Sequence, residues 1–389
     1  MKRHALAWIA SLAVLLGAPP AHADVSRLAS GEARAFSESP APVHGIAADA
    51  DVVFTTRPAI EPGTHSSVVA LDARTGREIG PLPPPPGGFE FPFALRVTDR
   101  GRLAVLDNAG FPPQGTPKIH EYRYTTHGGL RATHRKTIDF AGLPLLFAED
   151  LEVLPGGGYV VSESVIGALW LVGRDGKIRP GLVPSGPAPL EELAGCLHPT
   201  ASFGVGDLPF SPIGDFAPGI GSLAVSGEHL FFGSSCLGGL HRLDLDTLMD
   251  SSRPAAERAA TIETVSPRPA GTPFESLKGL AVEHPKGRDR WIYAGDPFGL
   301  RLIRIHVRTG ERQVLSRDSR LFNFSVGATF APPAGAGGGA RLLVTSDQEY
   351  RWAGLNGALT RNHFEPPFLV TEYRPTRGGG GRPAGDERR

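Results

Sequence analysis

His44, Glu149 and Lys278 occupy the same place in three different repeats of one pattern, each directly ahead of a short run of strand formers. An imidazole, a carboxyl and an ammonium gathered at one spot could hold an anionic group and pass a proton to or from it. The corresponding positions of the other three repeats carry Phe93, Gly221 and Val326. A second set of polar residues follows the second strand of each repeat: Asp107 and Asn108, Ser162 and Glu163, Asp296, and Asp347 with Glu349. Phe89, Phe91, Phe93, Phe322 and Phe324 are candidate aromatic walls around them. Two readings stand side by side. In one, His44, Glu149 and Lys278 are catalytic, and Phe93, Asp107, Asn108, Glu163, Asp296 and Asp347 contact a ligand. In the other, the phenylalanines are core, Lys278 and Glu149 form a structural ion pair, and the loop carboxylates cap turns.

The elements that must position these groups are clearest between residues 147 and 182. Short apolar runs around Leu151 to Val153, Tyr159 to Val161 and Ala168 to Val172 are separated by Pro155-Gly156-Gly157-Gly158, by Ser162-Glu163-Ser164 and by Arg174-Asp175-Gly176-Lys177. That is a meander of four strands with turns between them. A single meander cannot bury both faces of its sheet, so it needs sister units packed around it. Five more follow the same plan, beginning near Val43, Phe93, Ser222, Lys278 and Ala328. The expectation is an all-β, six-bladed β-propeller of four-stranded blades, with Asp24 to Pro40 completing the last blade or crossing its outside. Propeller geometry puts the inner strand of each blade on a central channel, so the six positions from His44 to Val326 should meet at one mouth. An insertion from about Pro184 to Gly214 interrupts the array where it could cover that mouth.

Fifty glycines and 37 prolines favour short strands and many turns over helical bundles. Lys2 and Arg3, the apolar run Ala5 to Ala18 and Ala21-His22-Ala23 have the form of a signal peptide spanning residues 1–23, so a secreted or periplasmic protein is expected. The propeller then takes residues 24–377, and 378–389 form a tail. Without Lys2 and Arg3, 38 of the 40 basic residues face 40 acidic ones, which offers no electrostatic reason to expect nucleic acid. No stretch suits membrane insertion. A small-molecule ligand is the expected partner. Two cysteines in an exported chain suggest a disulfide, Cys196 to Cys236, closing a loop of roughly 40 residues and contributing about 3–4 kcal/mol.

Several stretches resemble the major royal jelly and yellow proteins, kin to the gluconolactonase-like propellers. They are Gly101-Arg102-Leu103-Ala104-Val105-Leu106-Asp107 with Pro117-Lys118-Ile119, Leu230-Phe231-Phe232 leading to Leu240-His241-Arg242, and Leu343-Val344-Thr345-Ser346-Asp347-Gln348 with Glu365-Pro366-Pro367-Phe368. The resemblance implies a six-bladed propeller that binds, and could isomerise, a small aromatic or anionic molecule at the channel mouth without a cofactor. The alternative it leaves open is a metal-dependent lactonase or esterase related to the gluconolactonase or phytase-like propellers. In those enzymes calcium is held by Glu, Asn and Asp at the first set of positions. Here only Glu149 is an oxygen donor in that set, while Lys278 brings a cation, so no metal is expected.

Overall fold

The computed structural model describes residues 31–61, 63–99, 101–110, 115–145, 147–165, 167–182, 203–211, 219–234, 238–269, 275–284, 290–333 and 339–375. The signal-peptide residues, both cysteines of the expected disulfide, most of the insertion and the tail lie outside the described residues. Alternating apolar runs become strands in six four-stranded antiparallel sheets, which is a six-bladed β-propeller.

Blade one is β2 (Ile46–Ala48), β3 (Val52–Arg57), β4 (Ser67–Asp72) and β5 (Glu78–Pro81). Blade two is β6 (Pro92–Asp99), β7 (Arg102–Asp107), β8 (Lys118–Thr125) and β9 (Arg131–Asp139). Blade three is β10 (Ala148–Val153), β11 (Tyr159–Glu163), β12 (Ala168–Val172) and β13 (Ile178–Leu182). A small hairpin, β14 (Phe203–Val205) with β15 (Leu208–Phe210), comes from the insertion. Blade four is β16 (Ile220–Ser226), β17 (His229–Ser234), β18 (Leu240–Asp244) and β19 (Glu263–Ser266). Between its last two strands lie the short helices α1 (Leu245–Met249) and α2 (Ala255–Ala259). Blade five is β20 (Lys278–Ala281), β21 (Trp291–Asp296), β22 (Arg301–His306) and β23 (Arg312–Ser316).

Blade six is built from both ends of the chain. Its inner strands β24 (Ser325–Ala331), β25 (Arg341–Ser346) and β26 (Phe368–Pro375) are completed on the outside by β1 (Gly31–Ser39), which pairs antiparallel with β26. Glu372, almost fully buried, locks this closure by accepting from Arg341 at 2.9 Å and Arg374 at 2.6 Å, with Arg34 of β1 at 3.1 Å. Arg341 also donates to the carbonyl of Ala73 in blade one at 2.8 Å, so one guanidinium ties the last blade to the first.

The core is divided among the blade interfaces rather than gathered at a centre. Val161 and Trp170 of blade three pack on Leu106 and Ile119 of blade two. Phe54 of blade one meets Leu103 and Tyr122 of blade two. Leu343 and Phe368 of blade six meet Val53 and Val69 of blade one, which completes the ring. Each sheet thus buries both faces against its neighbours, and this is why one blade could not stand alone.

Candidate functional site

A repeated hydrogen-bond device sets the inner strands at the channel. Near the end of its second strand, Thr56 takes the N–H of Gly45 at 2.7 Å and donates to the carbonyl of Phe93 in blade two at 3.2 Å. Ser162 takes the N–H of Asp150 at 3.0 Å and donates to Gly221 of blade four at 2.6 Å. Thr345 takes the N–H of Gly327 at 3.0 Å and donates to the carbonyl of His44 in blade one. Three buried hydroxyls therefore fix where His44, Phe93 and Gly221 enter the channel. Glycines do the rest. A Cβ on Gly45 would stand 2.4 Å from the carbonyl oxygen of Phe93, and one on Gly327 2.4 Å from that of His44. Only bare backbone lets neighbouring inner strands approach so closely.

The residues expected at the mouth do converge. His44 Nδ1 lies 2.8 Å from Asp347 Oδ2 and 3.5 Å from Glu349 Oε1, joining the first blade to the last. Phe93 of blade two stacks on the other side of the imidazole, with ring centroids 3.5 Å apart and planes at 28°. Lys278 of blade five donates to Glu149 of blade three across the channel. Phe91, Phe93 and Phe147 form an apolar wall with Ile60, against which Trp352 and Phe364 pack. Phe324 belongs to a cluster with Val326 and Tyr350, and Phe89 lies against His120 and Tyr122. Phe322, fully buried between blades five and six, is core.

The remaining loop polar groups are committed elsewhere. Asp107 accepts the N–H groups of Glu90 and Phe91 at 3.0 and 2.5 Å. Asn108 exchanges both amide bonds with the backbone of Ala148, at 2.6 and 3.0 Å, stitching blade two to blade three. Glu163 accepts from the N–H groups of Phe147 and Val165 at 3.0 and 3.1 Å. Asp296 holds Arg301 at 2.7 Å and the N–H of Gly299 at 3.1 Å. Asp107 and Glu163 thus cap the entry to the inner strand of their own blades, while Asp347 alone of these carboxylates turns to the channel.

Asp347 and Glu349 face His44 together because the residue between them is twisted. Gln348 has φ 58° and ψ 32°, a left-handed conformation that costs a non-glycine residue about 1–2 kcal/mol. Its side-chain amide offsets this by bonding both the carbonyl and the N–H of Glu365, each at 2.9 Å. The insertion hairpin braces the same turn from outside. Asp207 pairs with Arg351 at 2.6 Å, and Asn356 bonds the backbone of Ser211 and Pro209 at 3.0 and 2.8 Å.

The two carboxyls are driven apart in proton affinity. Burial, then the negative charge of Glu349, pushes Asp347 up to about 8. Burial alone would raise Glu349, but its hydrogen bond and attraction to His44 outweigh this, with help from Lys278 and Asp347, and hold it below the usual range. Burial would lower His44, yet its hydrogen bonds and attraction to Asp347 and Glu349 raise it to about 9. Lys278 is raised as well: its burial is outweighed by Glu149, and Glu349 and Asp347 add to this. At neutral pH the cluster is an imidazolium, an ammonium ion-paired with Glu149, one ionised Glu349, and an Asp347 that keeps its proton. Neighbouring carboxyls with opposed affinities are what an acid and a base require.

Deeper in the shaft Arg96 binds Asp150 and Glu152 at 3.1 and 2.9 Å, and Asp150 also accepts the N–H of Leu223 at 2.9 Å. Burial pushes Asp150 up to about 6 despite Arg96. The space enclosed by His44, Phe93, Glu149 and Val326 is only about 20 Å³, room for roughly one water. That space is too small to hold an organic molecule.

No known protein family matches the chain at the level of sequence, and no curated protein does. Similarity appears in solved structures. The PQQ-bound aldose sugar dehydrogenase of Streptomyces coelicolor aligns at 12% identity and a TM-score of 0.51, covering 89% of this chain and 99% of that one. A luciferin-regenerating enzyme aligns at 12% and 0.52, covering 90% and 96%. A putative gluconolactonase aligns at 14% and 0.50, covering 89% and 93%. The chain is a six-bladed propeller with gluconolactonase-like neighbours. At these identities the likeness is one of fold, and chemistry has to be argued from the site itself.

The donor set speaks on calcium. That ion takes six to eight oxygens. The mouth offers Asp347 and Glu349 with a nitrogen of His44 between them, and Glu149 is occupied by Lys278. These residues do not make a calcium cage. Among the groups at the channel, Arg96, Asp150 and the hydroxyls of Thr56 and Thr345 were not anticipated from sequence, whereas Ser162 was. A hydroxyl near the end of the second strand in three of six repeats was the available signal.

Proposed function

We propose that the mouth around His44 is a metal-independent proton-transfer site for a compact organic molecule carrying an aromatic or anionic group. The observation that supports it is the meeting of Asp347 and Glu349 at one nitrogen of His44, at 2.8 and 3.5 Å, where burial and charge drive their proton affinities in opposite directions. In this reading Asp347 gives a proton to the bound molecule and Glu349 accepts one, while His44 holds both carboxyls in place and stabilises the negative charge that develops. Lys278 draws the anionic group toward the mouth, and the wall of Phe91, Phe93 and Phe147 receives the apolar part. Proton movement between two positions of one substrate is an isomerisation, the activity suggested by the resemblance to the royal jelly and yellow proteins, and that kinship belongs to the same proposal. Export belongs to the same proposal, on the expectation of a leader ending near Ala23.

The test is turnover of enolisable aromatic ketones, quinone tautomers, aryl esters and lactones, each with chelator and with added calcium. We expect isomerisation that ignores both additions and falls by on the order of 100-fold or more in Asp347→Asn and His44→Gln. Hydrolysis that appears only with calcium would replace this reading with the lactonase or esterase one. Saturable binding of aromatic carboxylates that Lys278→Ala weakens, with no turnover of any compound, would leave a binding protein and remove the proton transfer.

A further inference from the structure

On the face away from the mouth, blades two and three part to leave a groove of about 1110 Å³. Four arginines line it: Arg102 on β7, Arg123 on β8, Arg135 on β9 and Arg174 in the turn after β12. Arg102 and Arg123 are direct cross-strand partners. Like charges placed opposite each other weaken a sheet unless an opposite charge lies between them. Among the described residues, none of the four has an ion-pair or hydrogen-bond partner for its guanidinium, although three carboxylates share the groove: Asp99, the cross-strand partner of Arg102, and Glu121 and Glu152, each with a partner of its own. Glu121 accepts from the Tyr159 hydroxyl at 3.0 Å, and Glu152 is held by Arg96 at 2.9 Å.

The turn beneath is shaped to the same end. Gly157 has φ 93°, and a Cβ on it would come 2.7 Å from Nε of Arg174. The bare turn leaves room for the Arg174 side chain beside it. Guanidinium is the side chain suited to oxyanions, because its planar fork offers paired N–H donors and never loses its charge. Four guanidiniums against Asp99, Glu121 and Glu152 leave a small, local surplus of positive charge. Across the whole chain 40 basic residues match 40 acidic ones, so a long polyelectrolyte would find no extended track beyond the groove.

We infer that this groove binds a compact polyanion, a small molecule bearing two or more phosphate- or sulfate-type groups, at a site separate from the channel mouth. The unpaired Arg102 and Arg123, set opposite each other, grip one such group between them, and Arg135 with Arg174 takes the next. The test is calorimetric titration of the full chain with sodium tripolyphosphate and, separately, with a disulfated disaccharide, at roughly 50 and 300 mM salt. Saturable binding is expected, weakening with salt and falling by about tenfold or more in Arg102→Gln/Arg123→Gln. Tighter binding of the first probe assigns a phosphorylated ligand, and of the second a sulfated one. Arg135→Gln/Arg174→Gln is the companion variant and should lose affinity to a similar degree. Without ligand, the first double variant should melt no lower than the parent, because it removes a repulsion. No saturable binding of either probe by the parent at about 1 mM, or equal affinity in parent and both double variants, overturns the site.

Discussion

Replacing Asp347 with Asn should flatten a loss of stability that the parent shows as pH rises toward 8. In the folded chain the Asp347 carboxyl is raised from 3.8 to about 8, by burial and by Glu349, and His44 from 6.5 to about 9, where its carboxylate partners overcome burial. Both shifts have the same sign. The stability each contributes is complete below its unfolded value and is lost as pH climbs through its folded one. Between pH 6.5 and 8 the native chain therefore carries up to two protons that the unfolded chain has released. Each is worth about 1.4 kcal/mol per pH unit, so the pair removes about 3–4 kcal/mol over that window. Against a total of about 5–15 kcal/mol, this is easily measured. Asn keeps an oxygen for His44 and an N–H for Glu349 but cannot ionise. If Asn stands in for the neutral carboxyl, the variant should match the parent only near pH 4, exceed it by about 3 kcal/mol at pH 6 and by more at pH 8, with a slope smaller by about 1.4 kcal/mol per unit between them. Urea unfolding at half-unit intervals, with m checked for constancy, reads this directly. Asp150, raised to about 6, and His134 and His241, both lowered by burial, titrate mainly below the window and cancel between the two proteins. Equal slopes in parent and variant, or a variant several kcal/mol weaker at pH 6, would refute the assignment of a proton to Asp347.

Glu349→Gln should behave oppositely, costing about 3–5 kcal/mol near neutral pH because it strips a buried imidazolium of its ionised partner; chemical denaturation at pH 7 measures it. Thr345→Val leaves the Gly327 N–H and the His44 carbonyl without their bonds and should cost about 1–3 kcal/mol, with the His44 proton resonance shifting in NMR titration. Deleting residues through Ser39 removes β1 and the Arg34 contact to Glu372, exposing the edge of β26. The melting temperature should drop by on the order of 10 °C, followed by light scattering for edge-to-edge association. Cys196 and Cys236 should resist alkylation under denaturing, non-reducing conditions, and two labelled thiols would rule out the bridge.

The blade count was legible because each blade repeats one short alternation of apolar residues between turn residues, and only the insertion after blade three falls outside the six units. The ring of His44, Phe93, Glu149, Gly221, Lys278 and Val326 was legible for the same reason, since an equivalent place in every unit becomes a neighbouring place once the ring closes. What the loop carboxylates do was not. Asp107, Glu163 and Asp347 occupy similar places in the sequence, yet two turn back to the amides of Phe91 and Phe147 and one turns inward. The difference rests on a left-handed Gln348, a residue type that announces no such conformation, held by Glu365 and braced by a hairpin from an insertion with no repeat to predict it. The glycines that follow His44, Lys278 and Val326 were in plain view and carry a further consequence. Gly279, at φ 58°, would bring a Cβ within 2.6 Å of the backbone of Gly327 and Ala328. Small residues at the inner strands let the blades approach closely, and the space left between His44, Phe93, Glu149 and Val326 has room for roughly one water. Chemistry on this fold is thereby pushed to the rim, where Glu349, on the rim turn after β25, meets a histidine from the first blade.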